Sequence, residues 1–261
     1  MKAMVYVKGD RAQRFHMQER PMPTVGHSEV LVHVRCSSVN AGDYRSLHSG
    51  AIPKSGVFGA DVAGVVVAVG TGVTNFRVGD RVLSDLSNHG NGGFAEYALA
   101  PEGILAHMPD TLPFEQAAAL PLAAVTALQG LRDAGRLKPG QHVLVHGASG
   151  GVGTYAVQLA KRMGAEVTAV CSGRNVPQTR TLGADHVIDY QREDFTQGSQ
   201  RFDLALAIHG GEAPRDYRRV LKRGGRLVLV GGTLSRLLKA LFVMPLLRAL
   251  GFHQQLLVAR P

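Results

Sequence analysis

The sequence predicts an α/β protein in two parts, a β-rich first unit followed by a doubly wound parallel sheet. Three observations carry this. Roughly the first hundred residues read as short alternating strands with glycine turns between them; from about Pro113 an alanine- and leucine-rich helical texture takes over; beyond it, apolar runs and helical segments alternate. With 261 residues, 45% hydrophobic and 19% charged, the chain can bury a large core, in one domain or two. We place the boundary at 115, giving units 1–115 and 116–261.

In "EVLVHVRC", Val30, Val32, Val34 and Cys36 alternate with Leu31, His33 and Arg35, the period of a half-buried strand, which puts Cys36 in the core. "DVAGVVVAVG" and "GDRVLSDL" continue the pattern between glycine-marked turns, so the first unit should be mainly antiparallel and barrel-like. "PFEQAAALPLAAVTALQGLRDAG" has helical spacing, and "KPGQ" ends it. Strands are then expected over 142–147, 166–170, 186–189, 202–209, 226–231 and 255–259, with helices between them as βαβ units require.

"HGASGGVGTY" sits between the apolar run "HVLV" and the helical pattern "VGTYAVQLAKRMG". Strand, glycine loop and helix in this order are what a dinucleotide's pyrophosphate requires, whereas the same glycines elsewhere would mark only a turn. Two registers fit, Ala148, Gly150 and Gly153 or Gly151, Gly153 and Ala156. We adopt the first: Ala148 for the tight turn, Gly150 for close approach of backbone to phosphate, and Gly153 for packing of helix on strand. Ser149, Gly151 and Val152 complete the loop, and the helix N-terminus holds the charge. About 20 residues on, a site for an unphosphorylated ribose would carry Asp or Glu. Here the chain reads "TAVCSGRN", in which Ser172 and Arg174 suit a 2′-phosphate and favour NADPH over NADH; otherwise Arg174 faces solvent.

Cys36 and Cys171 are too few for a disulfide framework, and "MKAMVYVKGD" lacks the pattern of a signal peptide, so a cytoplasmic protein with reduced thiols is expected. The formal net charge of +9 comes from scattered lysines and arginines, which points to a phosphate-bearing small molecule and to no specific nucleic acid. "TLSRLLKALFVMPLLRALGF" is too often charged for a membrane span. Two short helices divided at Pro245, packed over the sheet or at a dimer interface, are expected there, with contact to a membrane surface as the alternative.

The segments "VNAGDYR", "FGADVAGVVVAVG", "FRVGDRV", "GGFAEYALA", "GASGGVG" and "LGADHVIDY", in this order, resemble the zinc-independent quinone oxidoreductase branch of the medium-chain dehydrogenase/reductase superfamily. The resemblance implies a GroES-like catalytic domain, a Rossmann domain that binds NADP(H), an active site in the cleft between them, and a homodimer. It also implies a C-terminal return segment that completes the catalytic domain, which this chain is expected to lack. The zinc-dependent relatives carry Cys near the position of Asn40 and His near that of Ala60, so no metal ligands are expected here. Without a Lewis acid, a quinone or an α,β-unsaturated carbonyl is the easier acceptor, because hydride addition gives a delocalised anion that hydrogen bonds can stabilise.

By resemblance, Asn40, Asp43 and Tyr44 are the catalytic candidates, with Asn40 as donor to the acceptor oxygen and Tyr44 as a proton donor; a capped turn is the plainer reading of the three. Thr126 resembles a residue near the nicotinamide, Tyr190 one beside the adenosine phosphate, and Gly231 and Gly232 backbone along the nicotinamide ribose. His146 is read as a strand residue and not a base. His209 and Ala207 depart from the family's pattern and place the shape of that part of the pocket in question. The rival functions are an alcohol or aldehyde reductase and a noncatalytic NADPH-binding protein with a sensing, partner-binding or RNA-binding role.

Overall fold

The computed structural model describes residues 1–6, 15–208, 214–230 and 255–259. It divides into two compact units at Leu122 and Ala123, a little beyond the expected boundary.

In the first unit β1 (Lys2–Tyr6) and β2 (Phe15–Glu19) form an antiparallel pair. β3 (Glu29–Cys36), β4 (Asp61–Val69), β5 (Arg81–Asp85), β6 (Tyr97–Pro101) and β7 (Ala106–His107) form an antiparallel sheet in the order β6-β3-β4-β5-β7. The valines of the alternating runs build its core: Val30, Val32, Val66 and Val82 pack with Phe76, and Val62 packs with Leu86, Ala98 and Ala100. Each such side chain contributes about 1.5–3 kcal/mol on full burial.

The strict alternation expected for β3 does not hold. Its register against β4 slips between Leu31 and Val32 and again between Val34 and Cys36. The first slip places its extra residue on β4 and only the second places one on β3, at Arg35. Leu31 is buried beside Val30 and Val32, and Cys36 is half-buried and packs against the core cluster of Ala63, Met108, Ala117 and Ala118. The single helical stretch expected after Pro113 is likewise three pieces: α2 (Phe114–Ala118), α3 (Pro121–Leu128) and a π-helical turn at Gln129–Ala134. Proline has no N–H to continue a helix, so α2 stops and α3 starts anew at Pro121.

The second unit holds β8 (His142–His146), β9 (Glu166–Cys171), β10 (His186–Asp189), β11 (Phe202–Ala207), β12 (Leu221–Val230) and β13 (Gln255–Ala259). They form one parallel sheet in the order β10-β9-β8-β11-β12-β13. The chain winds outward from β8 in one direction and then returns beside it, which makes β8 and β11 the switch point where such sheets bind ligands. Both faces are covered. Val143, Val145, Val167, Ala169, Leu204 and Leu206 pack with Ala156, Val157 and Ala160 of α4 (Gly151–Arg162), while Leu144, Val170, Ala205 and Leu227 pack with Tyr217 and Val220 of α6 (Pro214–Val220).

Candidate cofactor and active site

At the end of β8 the chain turns through Gly147, whose φ of 87° lies in the left-handed region open to glycine. The tight turn therefore falls on Gly147, and Ala148, expected to carry it, is fully buried in the core. The N–H groups of Gly147 and Ala148 both donate to the Val170 carbonyl, each at 3.1 Å, which ties the loop to β9. Gly150 is the N-cap of α4, and no side chain caps that helix end. A Cβ on Gly153 would lie 2.1 Å from the Gly147 oxygen, so only glycine lets the helix pack this closely, whereas Gly151 faces open space. Val152 packs against the apolar core. Close packing, open glycines and an uncapped helix amino end fit an anionic pyrophosphate.

The expected ribose-side residues gather at the neighbouring strand ends. Ser172 precedes a helical turn over Gly173–Asn175, and Asn175 is the N-cap of α5 (Val176–Thr181). The Asn175 amide donates to Ser149 Oγ and to Ser172 Oγ, both at 3.0 Å, joining the two candidate serines. Arg174 is exposed and has no partner among the described residues. Tyr190 is 55% exposed, and its N–H donates to the Cys171 carbonyl at 3.2 Å. A carboxylate that the sequence reading missed also lies here: an ideal Cβ on Gly173 would be 2.6 Å from Asp189 Oδ2. That side chain accepts from the Gln191 N–H and lies 3.6 Å from the Arg192 guanidinium.

Thr126 is buried on α3. Gly231, Gly232, His209 and the stretch 233–252 lie outside the described residues. Among the described residues no helix is long and apolar enough to cross a membrane. His146 is buried, its Nδ1 2.6 Å from the Tyr217 hydroxyl.

In the first unit Asn40 is the N-cap of α1 (Ala41–Ser49) and Asp43 its third residue, together forming a capping box. Asp43 accepts the N–H of Asn40 at 2.8 Å and that of Gly59 at 3.2 Å. Burial pushes its carboxyl above the ordinary value, against the pull of those donors. Asp43 thus holds the turn in place, and its oxygens face the chain's own amides.

The Asn40 amide donates to Asp61 Oδ2 at 2.8 Å and to Ser38 Oγ at 3.1 Å. Both its hydrogens are engaged, so donation to an acceptor oxygen requires one of these bonds to open. The Tyr44 hydroxyl is not so engaged: the residue is 50% exposed, and its hydroxyl has no hydrogen-bond partner among the described residues. Asp61 is a second residue the sequence reading missed. It is fully buried and accepts from Ser38 Oγ, Asn40 and the Leu122 N–H in the first turn of α3. Burial raises its pKa, and the three donors partly offset that.

Residues 26–110 match the alcohol dehydrogenase GroES-like domain family, and residues 151–254 the zinc-binding dehydrogenase family. A chloroplast envelope quinone oxidoreductase homolog from Arabidopsis thaliana is 43% identical over 235 residues, 84% of this chain and 71% of that protein. The chain belongs to the quinone oxidoreductase branch of the medium-chain dehydrogenase/reductase superfamily.

Other members of the superfamily agree. A 2-methylene-furan-3-one reductase from Solanum lycopersicum is 34% identical over 82% of this chain and 58% of its own length. The quinone oxidoreductase structure from Coxiella burnetii superposes with a TM-score of 0.87 at 30% identity, covering 99% of this chain and 82% of that one. Membership makes this chain an oxidoreductase that uses a nicotinamide cofactor. One of the two matched families is named for zinc, and Asn40 and Ala60 are neither Cys nor His. Among the described residues no group of three or more His, Cys, Asp or Glu side chains is arranged to hold a metal.

Proposed function

We propose that the chain is a metal-free, NADPH-dependent reductase of quinones or α,β-unsaturated carbonyls. The observation that carries this reading is the glycine loop at the switch point, where Gly153 closes on Gly147 and leaves the amino end of α4 uncapped. Bound NADPH supplies the hydride. The amides of Gly150, Gly151 and Val152 would hold its pyrophosphate, with Ser172 and Arg174 on the 2′-phosphate and Tyr190 beside the adenosine. Thr126, Gly231 and Gly232 are the candidates for the nicotinamide end.

On the acceptor side, Tyr44 Oη donates a hydrogen bond to the oxygen on which negative charge develops, then its proton. Asn40 and Asp43 fix the turn that presents it. The names of the quinone oxidoreductase and furanone reductase relatives support an acceptor in which a carbonyl is conjugated. We place the protein in the cytosol as a homodimer, a setting in keeping with its two free cysteines.

Fluorescence titration with NADPH and NADH, followed by assays with a quinone and an enal with and without chelator, tests the reading. Preferential NADPH binding with chelator-insensitive turnover is expected. Loss of turnover on chelation would favour the alcohol or aldehyde reductase; binding without turnover of either acceptor would favour the noncatalytic protein.

A further inference from the structure

We infer that Asn175 is the residue that sets the cofactor's phosphate specificity, by turning the hydroxyls of Ser149 and Ser172 outward as donors. The inference rests on the NADPH reading above and adds to it a residue that never needs to touch the ligand. An asparagine NH2 has two hydrogens and no lone pair to offer. Both are spent on the serine oxygens, at 3.0 Å each. Each serine oxygen is therefore an acceptor toward Asn175, and its own hydrogen is left to point elsewhere. Two hydroxyls fixed as donors, beside an exposed Arg174 with no partner among the described residues, form a set that selects a phosphate ester over a free ribose hydroxyl.

Asn175 is itself held firmly. Its N–H donates to the Ser172 carbonyl at 2.9 Å, and its carbonyl accepts from Thr179 Oγ1 at 2.8 Å. Thr179 is fully buried and its hydroxyl also reaches Cys171 Sγ at 3.5 Å. The amide thus links the glycine loop to the loop after β9 from a fixed base. Asp189, whose Oδ2 lies against Gly173, accepts from the Gln191 N–H and lies 3.6 Å from the Arg192 guanidinium, which partly offsets its charge beside the donor set.

The test uses Asn175→Asp and Asn175→Ala in the full chain, with dissociation constants for NADPH and NADH measured by calorimetry and folding checked by circular dichroism. The carboxylate introduced by Asn175→Asp would accept from both serines, turning their hydrogens inward and adding a negative charge. The expected result is an NADPH affinity lowered about tenfold or more in the aspartate variant and by less in the alanine variant, with NADH affinity changed less than about threefold in both. A wild-type preference for NADPH that both variants retain overturns the role of Asn175 and leaves the NADPH reading intact. An equal loss of both cofactors overturns it too, since a merely structural residue behaves so. A wild type without preference removes the NADPH reading, and this inference falls with it. If the aspartate variant does not fold, the alanine variant decides by the same ratio.

Discussion

The two units treat their polar groups in opposite ways. In the second, the loop after β8 leaves an uncapped helix end and an open Gly151, and the loop after β9 carries Arg174, which has no partner among the described residues. In the first, Asn40, Asp43 and Asp61 spend their hydrogen-bonding capacity on one another and on backbone. A group left unsatisfied at a surface is ready for a ligand, while a closed network fixes the shape of the turn that carries the ligand-facing group. On the proposed function the difference separates residues that would bind from residues that would position, and Tyr44, beside the closed network, keeps a hydroxyl with no hydrogen-bond partner among the described residues.

The sharpest way to break the contrast is Gly153→Val, which drives a branched side chain into the Gly147 carbonyl. Cofactor binding should be lost altogether and stability fall by about 3–4 kcal/mol, read by titration and thermal melting. A valine variant that still binds cofactor would remove the close-packed loop from the account. Asp61→Ala attacks the closed network: three donors lose their acceptor inside the protein, and urea unfolding should show a loss of about 2–3 kcal/mol. An unchanged midpoint would mean the network is dispensable.

Tyr44→Phe acts on function alone, because the hydroxyl supports no other residue. Turnover should fall roughly tenfold, about 1.4 kcal/mol, with cofactor affinity and melting temperature unchanged. Full activity in this variant would move the proton donor elsewhere.

The smallest effect is a difference in sign. Asp43 and Asp61 have folded pKa values raised above the ordinary 3.8, chiefly by burial, so the folded state holds protons that the unfolded chain releases. Their contribution to stability declines as pH rises from the ordinary value through the raised one. In the second unit burial acts on Asp185 and Asp203 as well, but Lys161 and the Val167 N–H at the one, and Lys222 and the His142 N–H at the other, outweigh it and lower both. Their stabilisation is present above 3.8 and lost as pH falls through the lowered values. Hydrogen exchange followed as pH falls below the ordinary 3.8 should therefore show the second unit losing protection before the surroundings of Asp61. The reverse order would show that these four carboxylates do not govern the acid response.

Much of this was legible in the sequence, for identifiable reasons. Strands of a parallel sheet are buried on both faces, so "HVLV" and "EVTAV" stand out as apolar runs, and the glycine loop between strand and helix is a local pattern. The failures are non-local. Asp61 meets Asn40 across 21 positions and Leu122 across 61, and Asn175 meets Ser149 across 26. Nothing in the alternation of β3 marks its register slips against β4, because a bulge depends on the partner strand. Asp189 reaches Gly173 only because β10 pairs with β9 in the register that sets Asp189 opposite Cys171.

The two amides that share the Val170 carbonyl carry one more consequence. Because Gly147 and Ala148 are anchored to the strand that leads into Ser172, the spacing between the two halves of the proposed anion site is settled when the sheet forms. The ordering entropy is then charged to folding and not to association, so cofactor binding should proceed with little loss of backbone freedom in this loop.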